Sequence, residues 1–173
     1  MKNVAVFGAG RIGRIHASNL AALSGVKLKY VFDPVPAAAS DLAQMVGAEV
    51  ASVEAILADA SIDAVAICSS TSTHSDLITR SAAAGKNIFC EKPVDLSVPR
   101  AEACAQAVKD AGVACMIGFQ RRFDPTFNEA RSRMDAGAIG SPEVLIVTSR
   151  DPGAPPADYI TASGGIFRDM LIH

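Results

Sequence analysis

The 173-residue chain is half apolar, 5% aromatic and carries a formal net charge of −2. That length suits one domain plus a piece of another, with enough apolar side chains to bury a core. There is no basic run to suit a nucleic acid, no stretch of ~18 apolar residues to span a membrane, and an N-terminal apolar run that breaks too early for a signal peptide.

In chain order, Val4–Phe7 is a short apolar run that ends in glycine, which predicts a strand. Arg11–Leu23 follows with Ile12, Ile15, Leu20 and Leu23 at helical spacing, and Gly25 is placed to end it. Leu28–Phe32 reads as a strand, and Pro36–Val46 as a helix stopped by Gly47. Ser52–Ala58 is a predicted helix with Ser52 as its cap, and Ala64–Ile67 a continuous apolar strand. A helix over Thr73–Ala84 ends at Gly85, a strand covers Asn87–Cys90, and a helix over Ser97–Ala111 starts at a Ser97 cap and stops at Gly112. Val113–Ile117 is a further strand. Strands apolar on both faces, alternating with helices, predict a doubly wound α/β domain with a parallel sheet (a Rossmann fold). We place it at residues 1–120.

After Gly118 the rhythm changes, and residues 121–173 read as the beginning of a second, incomplete α+β domain. Thr126–Asp135 is a predicted helix, Glu143–Ser149 a strand, Asp151–Pro156 a proline-rich loop, and Ser163–His173 the start of a helix. Cys68, Cys90, Cys104 and Cys115 form no C-x-x-C pair and no metal-ligand spacing. They are expected to be reduced core thiols of a cytoplasmic protein without a bound metal.

Gly8-Ala9-Gly10-Arg11-Ile12-Gly13 fits G-x-G-x-x-G. Alone that pattern is weak, but here it follows a strand, opens a helix and begins a βαβ unit. Gly8 allows the tight turn, Gly10 the approach of a pyrophosphate, and Gly13 close packing of helix on strand. The N–H groups at the helix start, Arg11 and Ile12 among them, would then face the phosphates. Asp33 ends the second strand about 20 residues further on, where a carboxylate can accept the ribose hydroxyls of NAD and repel a 2′-phosphate. Pro34, Val35 and Pro36 supply no cation to offset that repulsion, so NAD is favoured over NADP. Sheets that bind S-adenosylmethionine or FAD share parts of this pattern, and three glycines can simply make a turn.

Five ordered motifs carry a resemblance beyond the dinucleotide loop. They are the Gly8–Gly13 run with His16-Ala17 after it, Cys68-Ser69-Ser70-Thr71-Ser72-Thr73-His74, Glu91-Lys92-Pro93, Gly118-Phe119-Gln120-Arg121-Arg122-Phe123-Asp124, and Gly164-Gly165-Ile166-Phe167-Arg168-Asp169-Met170-Leu171-Ile172-His173. With them the chain resembles the glucose–fructose oxidoreductase/inositol dehydrogenase family, and within it the myo-inositol 2-dehydrogenases. The resemblance implies NAD-dependent oxidation of a cyclitol secondary alcohol, with myo-inositol to its 2-keto form as the leading guess. A sibling enzyme for scyllo-inositol, a glucoside or an anhydrosugar would use the same residues. A non-catalytic NAD(P)-sensing regulator would have lost the proton-transfer groups, which are present here.

By this resemblance Lys92, Asp169 and His173 are catalytic and touch substrate, Lys92 contacting the reacting hydroxyl. Pro93 would hold the turn through a cis bond, which is cheap only before proline. Asp169 and His173, four apart in the predicted helix, would share one face, with His173 taking the hydroxyl proton and Asp169 orienting the ring. Arg121 and Asp151 would hydrogen-bond a small polyol, or else form interdomain salt bridges. Ser69, Ser70, Thr71 and His74, with Thr73, would line the ribose and pyrophosphate path, unless His74 simply caps the following helix, and Glu91 would lie beside the cofactor. A Pro is common in the family at the Ser70 position. His16 is read as a packing residue of its helix. Family members continue into an open-faced sheet that shapes the pocket and mediates homo-oligomer contacts. The 173-residue chain is therefore expected to bind NAD without turning over substrate.

Overall fold

The computed structural model describes residues 1–150 and 153–173, in two compact units, Met1–Gly118 and Phe119–His173. Unit one alternates strands β1 (Lys2–Phe7), β2 (Val26–Phe32), β3 (Glu49–Val50), β4 (Ala64–Ile67), β5 (Asn87–Cys90) and β6 (Cys115–Ile117) with helices. The helices are α1 (Arg11–Ala22), α2 (Pro36–Val46), α3 (Val53–Ala58), α4 (Thr71–Ala83) and α5 (Val98–Ala111). All strand pairs are parallel and the order is β3-β2-β1-β4-β5-β6, a Rossmann sheet.

The strands sort their side chains by alternation. On one face Ala5, Phe7, Val65, Ile67, Ile88 and Cys90 pack with Ile56, Leu77, Ile78 and Cys104 of α3, α4 and α5. On the other, Val6, Leu28, Val31 and Ala66 meet Ala17 of α1 and Leu42 and Ala43 of α2. Strands β1, β2, β4 and β5 are thus covered on both sides, which is why these runs read as continuously apolar. Burial pushes the Cys68 thiol up to about 12, with the charge of Glu91 adding to the effect, and raises Cys90 likewise.

The helix ends follow the sequence closely. Ser52 Oγ accepts the Ala55 N–H at 3.1 Å, and α2 and α5 stop at Gly47 and Gly112 in the left-handed conformation. Ser97 caps α5 by position only: its own N–H goes to Asp95 Oδ1 at 2.9 Å. α4 starts at Thr71, two residues before the predicted Thr73. The two-residue β3 was not expected; it pairs Tyr30 with Glu49 and Val31 with Val50 at the exposed edge of the sheet.

Unit two holds a 3₁₀ turn, Gln120–Phe123, and helices α6 (Pro125–Asp135), α7 (Ala157–Ala162) and α8 (Ile166–Asp169). Asp124 caps α6 by accepting the Thr126 and Phe127 N–H groups at 2.9 and 3.2 Å. Two expectations are corrected here. Residues 143–149 form no strand: Val144 to Val147 are exposed, and no described strand pairs with their backbone. The predicted helix over 163–173 shrinks to Ile166–Asp169, because Ser163 closes α7, Gly164 and Gly165 take positive φ, and 170–172 form a turn.

Candidate cofactor site and the lysine turn

The strand order reverses between β1 and β4, so the chain leaves these neighbours in opposite directions and opens a crevice at their C-terminal ends. Gly8 and Cys68 meet there. A Cβ at Gly8, which has φ +104°, would sit 2.6 Å from the Cys68 carbonyl oxygen. Gly13 is under the same pressure, since a Cβ there would come 1.9 Å from the Gly8 carbonyl oxygen. Gly10 differs: it has ordinary φ and nothing within 4 Å of an added Cβ. Its open side lies where α1 begins, and α1 has no side-chain cap and no acidic residue in its first turn. The N–H groups of Arg11, Ile12 and Gly13 are therefore left to an outside acceptor.

Asp33 joins this turn directly. Its Oδ2 accepts the Ala9 N–H at 2.7 Å and its Oδ1 the Val35 N–H at 2.9 Å. Each carboxylate oxygen keeps a lone pair for a further donor. A pyrophosphate against Gly10 and a ribose diol on Asp33 thus suit this loop, which fits a dinucleotide.

The loop after β4 faces the same crevice. Ser69 Oγ and Thr73 Oγ1 are 2.6 Å apart, Thr73 Oγ1 donates to the Ser70 carbonyl at 2.8 Å, and Thr71 opens α4. Ser70 caps α4 without a side-chain bond, and its carbonyl takes the Thr73 N–H at 2.9 Å, which leaves the Thr71 and Ser72 N–H groups at the helix start without a side-chain cap. His74, only 1% exposed, has Nδ1 at 2.8 Å from the Pro93 carbonyl oxygen and Nε2 at 3.0 Å from that of Ser69. Both ring nitrogens face backbone carbonyls, to one of which a neutral ring donates, so any part His74 plays toward a cofactor runs through Ser69.

Lys92 sits half-buried in the turn after β5, before a cis bond to Pro93. Glu91 receives His16 Nε2 on Oε1 at 2.7 Å and the Lys92 N–H on Oε2 at 3.2 Å. Burial opposes the charge on Glu91, but the His16 hydrogen bond and charge, with the Lys92 N–H and ammonium, hold it below the usual carboxylate range. The His16 ring also lies 4.8 Å from that of Phe89. His16 is therefore more than a packing residue of its helix, and its partner, 75 residues away, gave no signal in the sequence.

In unit two, Arg121 is exposed, with its guanidinium 5.4 Å from the Phe127 ring centre. Asp169 Oδ1 accepts the Tyr159 hydroxyl at 2.8 Å, and His173 follows the 170–172 turn. The helical spacing expected for Asp169 and His173 is thus interrupted. Asp151 lies outside the described residues.

A family model described as an oxidoreductase family with an NAD-binding Rossmann fold matches residues 2–119. An inositol 2-dehydrogenase of Rhizobium meliloti is 53% identical over 97% of this chain and 51% of that protein. A scyllo-inositol 2-dehydrogenase (NAD(+)) of Bacillus subtilis is 47% identical over 98% of this chain and 50% of that protein. The crystal structure of a myo-inositol dehydrogenase from Corynebacterium glutamicum superposes with a TM-score of 0.92 at 46% identity, covering all of this chain and 52% of that one. The chain spans about half the length of each of these relatives. With the glycine turn, its partner carboxylate and the Glu-Lys-Pro turn on one Rossmann sheet, the chain belongs to the Gfo/Idh/MocA oxidoreductase family.

Proposed function

We propose that this chain is the cofactor-binding half of an NAD-dependent dehydrogenase that oxidises a secondary alcohol of a cyclitol, myo-inositol to its 2-keto form first among the candidates. The observation that carries this reading is the Asp33 carboxylate on the Ala9 N–H, an acceptor beside the glycine turn of the kind a ribose diol needs. The inositol dehydrogenases among its relatives support the substrate class.

When bound, NAD supplies the hydride acceptor. The chain's own residues do the rest. Asp33 would hold the adenosine ribose and the α1 amides the pyrophosphate. Toward that acceptor His173 would take the hydroxyl proton of the alcohol, with Lys92 sharing the transfer and Asp169 orienting the ring. Ketone, reduced cofactor and one proton are the balanced products. A myo-inositol and a scyllo-inositol enzyme share every one of these steps, so specificity is set elsewhere in the substrate pocket.

Titrating the 173-residue chain with NADH tests the cofactor half. Fluorescence enhancement and heat of binding are expected, and their absence overturns the reading. NAD reduction by the chain extended to the length of its relatives, across myo-inositol, scyllo-inositol and simple sugars, tests the substrate. Turnover confined to non-cyclitols would remove the inositol assignment.

A further inference from the structure

Lys92 is flanked by two residues that are each tied to a histidine. Before it, Glu91 takes the Nε2 of His16, on α1. After it, the Pro93 carbonyl faces Nδ1 of His74, on α4. The two helices cover opposite faces of the sheet, so the histidines reach the lysine turn from both sides. Both helices also open at the cofactor crevice, α1 at Gly10 and α4 at Ser70.

We infer that His16 and His74 are positioning residues that clamp the Glu91-Lys92-Pro93 turn to the two cofactor-binding helices. The clamp rests on the reading of Lys92 as a proton-transfer residue. Its parts are continuous. The Glu91 carboxylate that His16 fixes on one oxygen accepts the Lys92 N–H on the other, so the His16–Glu91 contact sets the lysine backbone directly. The His74 ring that meets the Pro93 carbonyl with Nδ1 lies against the Ser69 carbonyl with Nε2; a neutral ring donates to one of the two and an imidazolium to both. A cofactor that orders the starts of α1 and α4 thereby orders the lysine turn. Around this turn the further charged groups are Asp95 and Arg100. Arg100 pairs with Asp95 at 2.8 Å and with the Ser75 hydroxyl next to His74, bracing α4 against α5.

Amide hydrogen exchange on the 173-residue chain, with and without NADH, tests this. In the parent, NADH slows exchange in the segment 91–97. His16→Ala raises exchange there about fivefold, the loss of one hydrogen bond, and removes the response to NADH. His16→Gln, which keeps a donor, restores much of both. His74→Phe, which keeps volume but loses both contacts, gives the same local rise. Peptides of β1 and β4 are unaffected in His16→Ala. Unchanged exchange at 91–97 in His16→Ala, or a rise shared equally by β1 and β4, overturns the clamp. A parent chain that binds no NADH, yet shows the local rise in both variants, would instead overturn the cofactor reading and leave the clamp without a catalytic purpose.

Discussion

A single methyl group separates the uses of glycine in the first turn. At Gly13 it would press 1.9 Å from a backbone oxygen, while at Gly10 it would meet open space. Gly13→Ala is therefore expected to cost about 2–3 kcal/mol or more of stability, as overpacking does. Gly10→Ala should leave the melting temperature within about a degree or two, since a surface methyl changes stability by roughly 0.5 kcal/mol or less. It should weaken NADH binding at least tenfold by filling the place of the pyrophosphate. Melting curves and NADH titrations of the two variants separate the effects; equal behaviour in both assays would contradict the geometry. Asp33→Ala removes the acceptor of the Ala9 and Val35 N–H groups and the ribose partner together. It should lower stability by about 1–3 kcal/mol, the cost of an orphaned donor, and shift the NADP-to-NAD affinity ratio toward NADP. An unchanged ratio would remove Asp33 as the discriminating group. These residues were legible from the sequence because local spacing fixes them, with glycine, strand end and acid within one βαβ unit. The ties of His16 and His74 were not, because their partners lie on another loop and only the closed sheet brings them together.

At the scale of elements, what could be read was what neighbours do not alter. Strands β1, β2, β4 and β5 are apolar on both faces, helices α2 and α5 end at glycines, and α3 has a serine cap, so periodicity and end signals agreed. β3 escaped because two exposed residues carry no periodicity. The run at 143–149 misled because a Val- and Ile-rich sequence has strand propensity but a strand needs a paired neighbour. Lys86 shows the opposite failure, a charged residue at a glycine-marked turn that proves buried. Its ammonium donates to the Asp59 and Ile62 carbonyls at 2.7 and 3.0 Å, tying the start of β5 to the connection before β4. Lys86→Met keeps the stem and removes the donors, leaving two carbonyls to be satisfied in other ways. It should destabilise unit one by about 2–4 kcal/mol, two lost charge-assisted bonds. Chemical denaturation measures it, and a loss under roughly 0.5 kcal/mol, the range of an ordinary surface substitution, would make the contact incidental.

Over the whole first unit, acidic side chains add ties to those of the sheet. Asp63 holds Lys2 of β1, Asp59 holds Lys29 of β2, Glu54 of α3 holds Arg80 of α4, Asp95 braces α4 and α5, and Glu91 holds His16. Each titrates below its ordinary range. The Ser75 hydroxyl and then the Ser97 N–H and Arg100 bring Asp95 down to about 2 against the opposing effect of burial. Lys29, with the Ser61 hydroxyl and N–H, lowers Asp59; Lys2 and the Asn3 N–H lower Asp63; Arg80 lowers Glu54. An unfolded carboxylate titrates near pH 4, so between that point and the folded values the unfolded chain binds more protons than the folded one. The contribution of these groups is thus complete above about pH 5 and is lost as the pH falls from about 4 toward 2. Lys29, raised by the Asp59 hydrogen bond, loses its share only at the far alkaline end, as the pH climbs through a value above the usual lysine range. The melting temperature should therefore be nearly flat from pH 5 to 8 and fall steeply below pH 4. Adding 0.5 M salt should blunt the fall only in part, because screening weakens the exposed pairs while Asp95 and Glu91 also take their acceptor bonds from neutral hydroxyl and N–H groups. Circular dichroism melts at pH 7, 5, 4 and 3 with and without salt measure both effects. A melting temperature unchanged at pH 3 would mean that these carboxylates keep the same partners in the unfolded chain, and that the sheet and its two apolar faces hold the unit together without them.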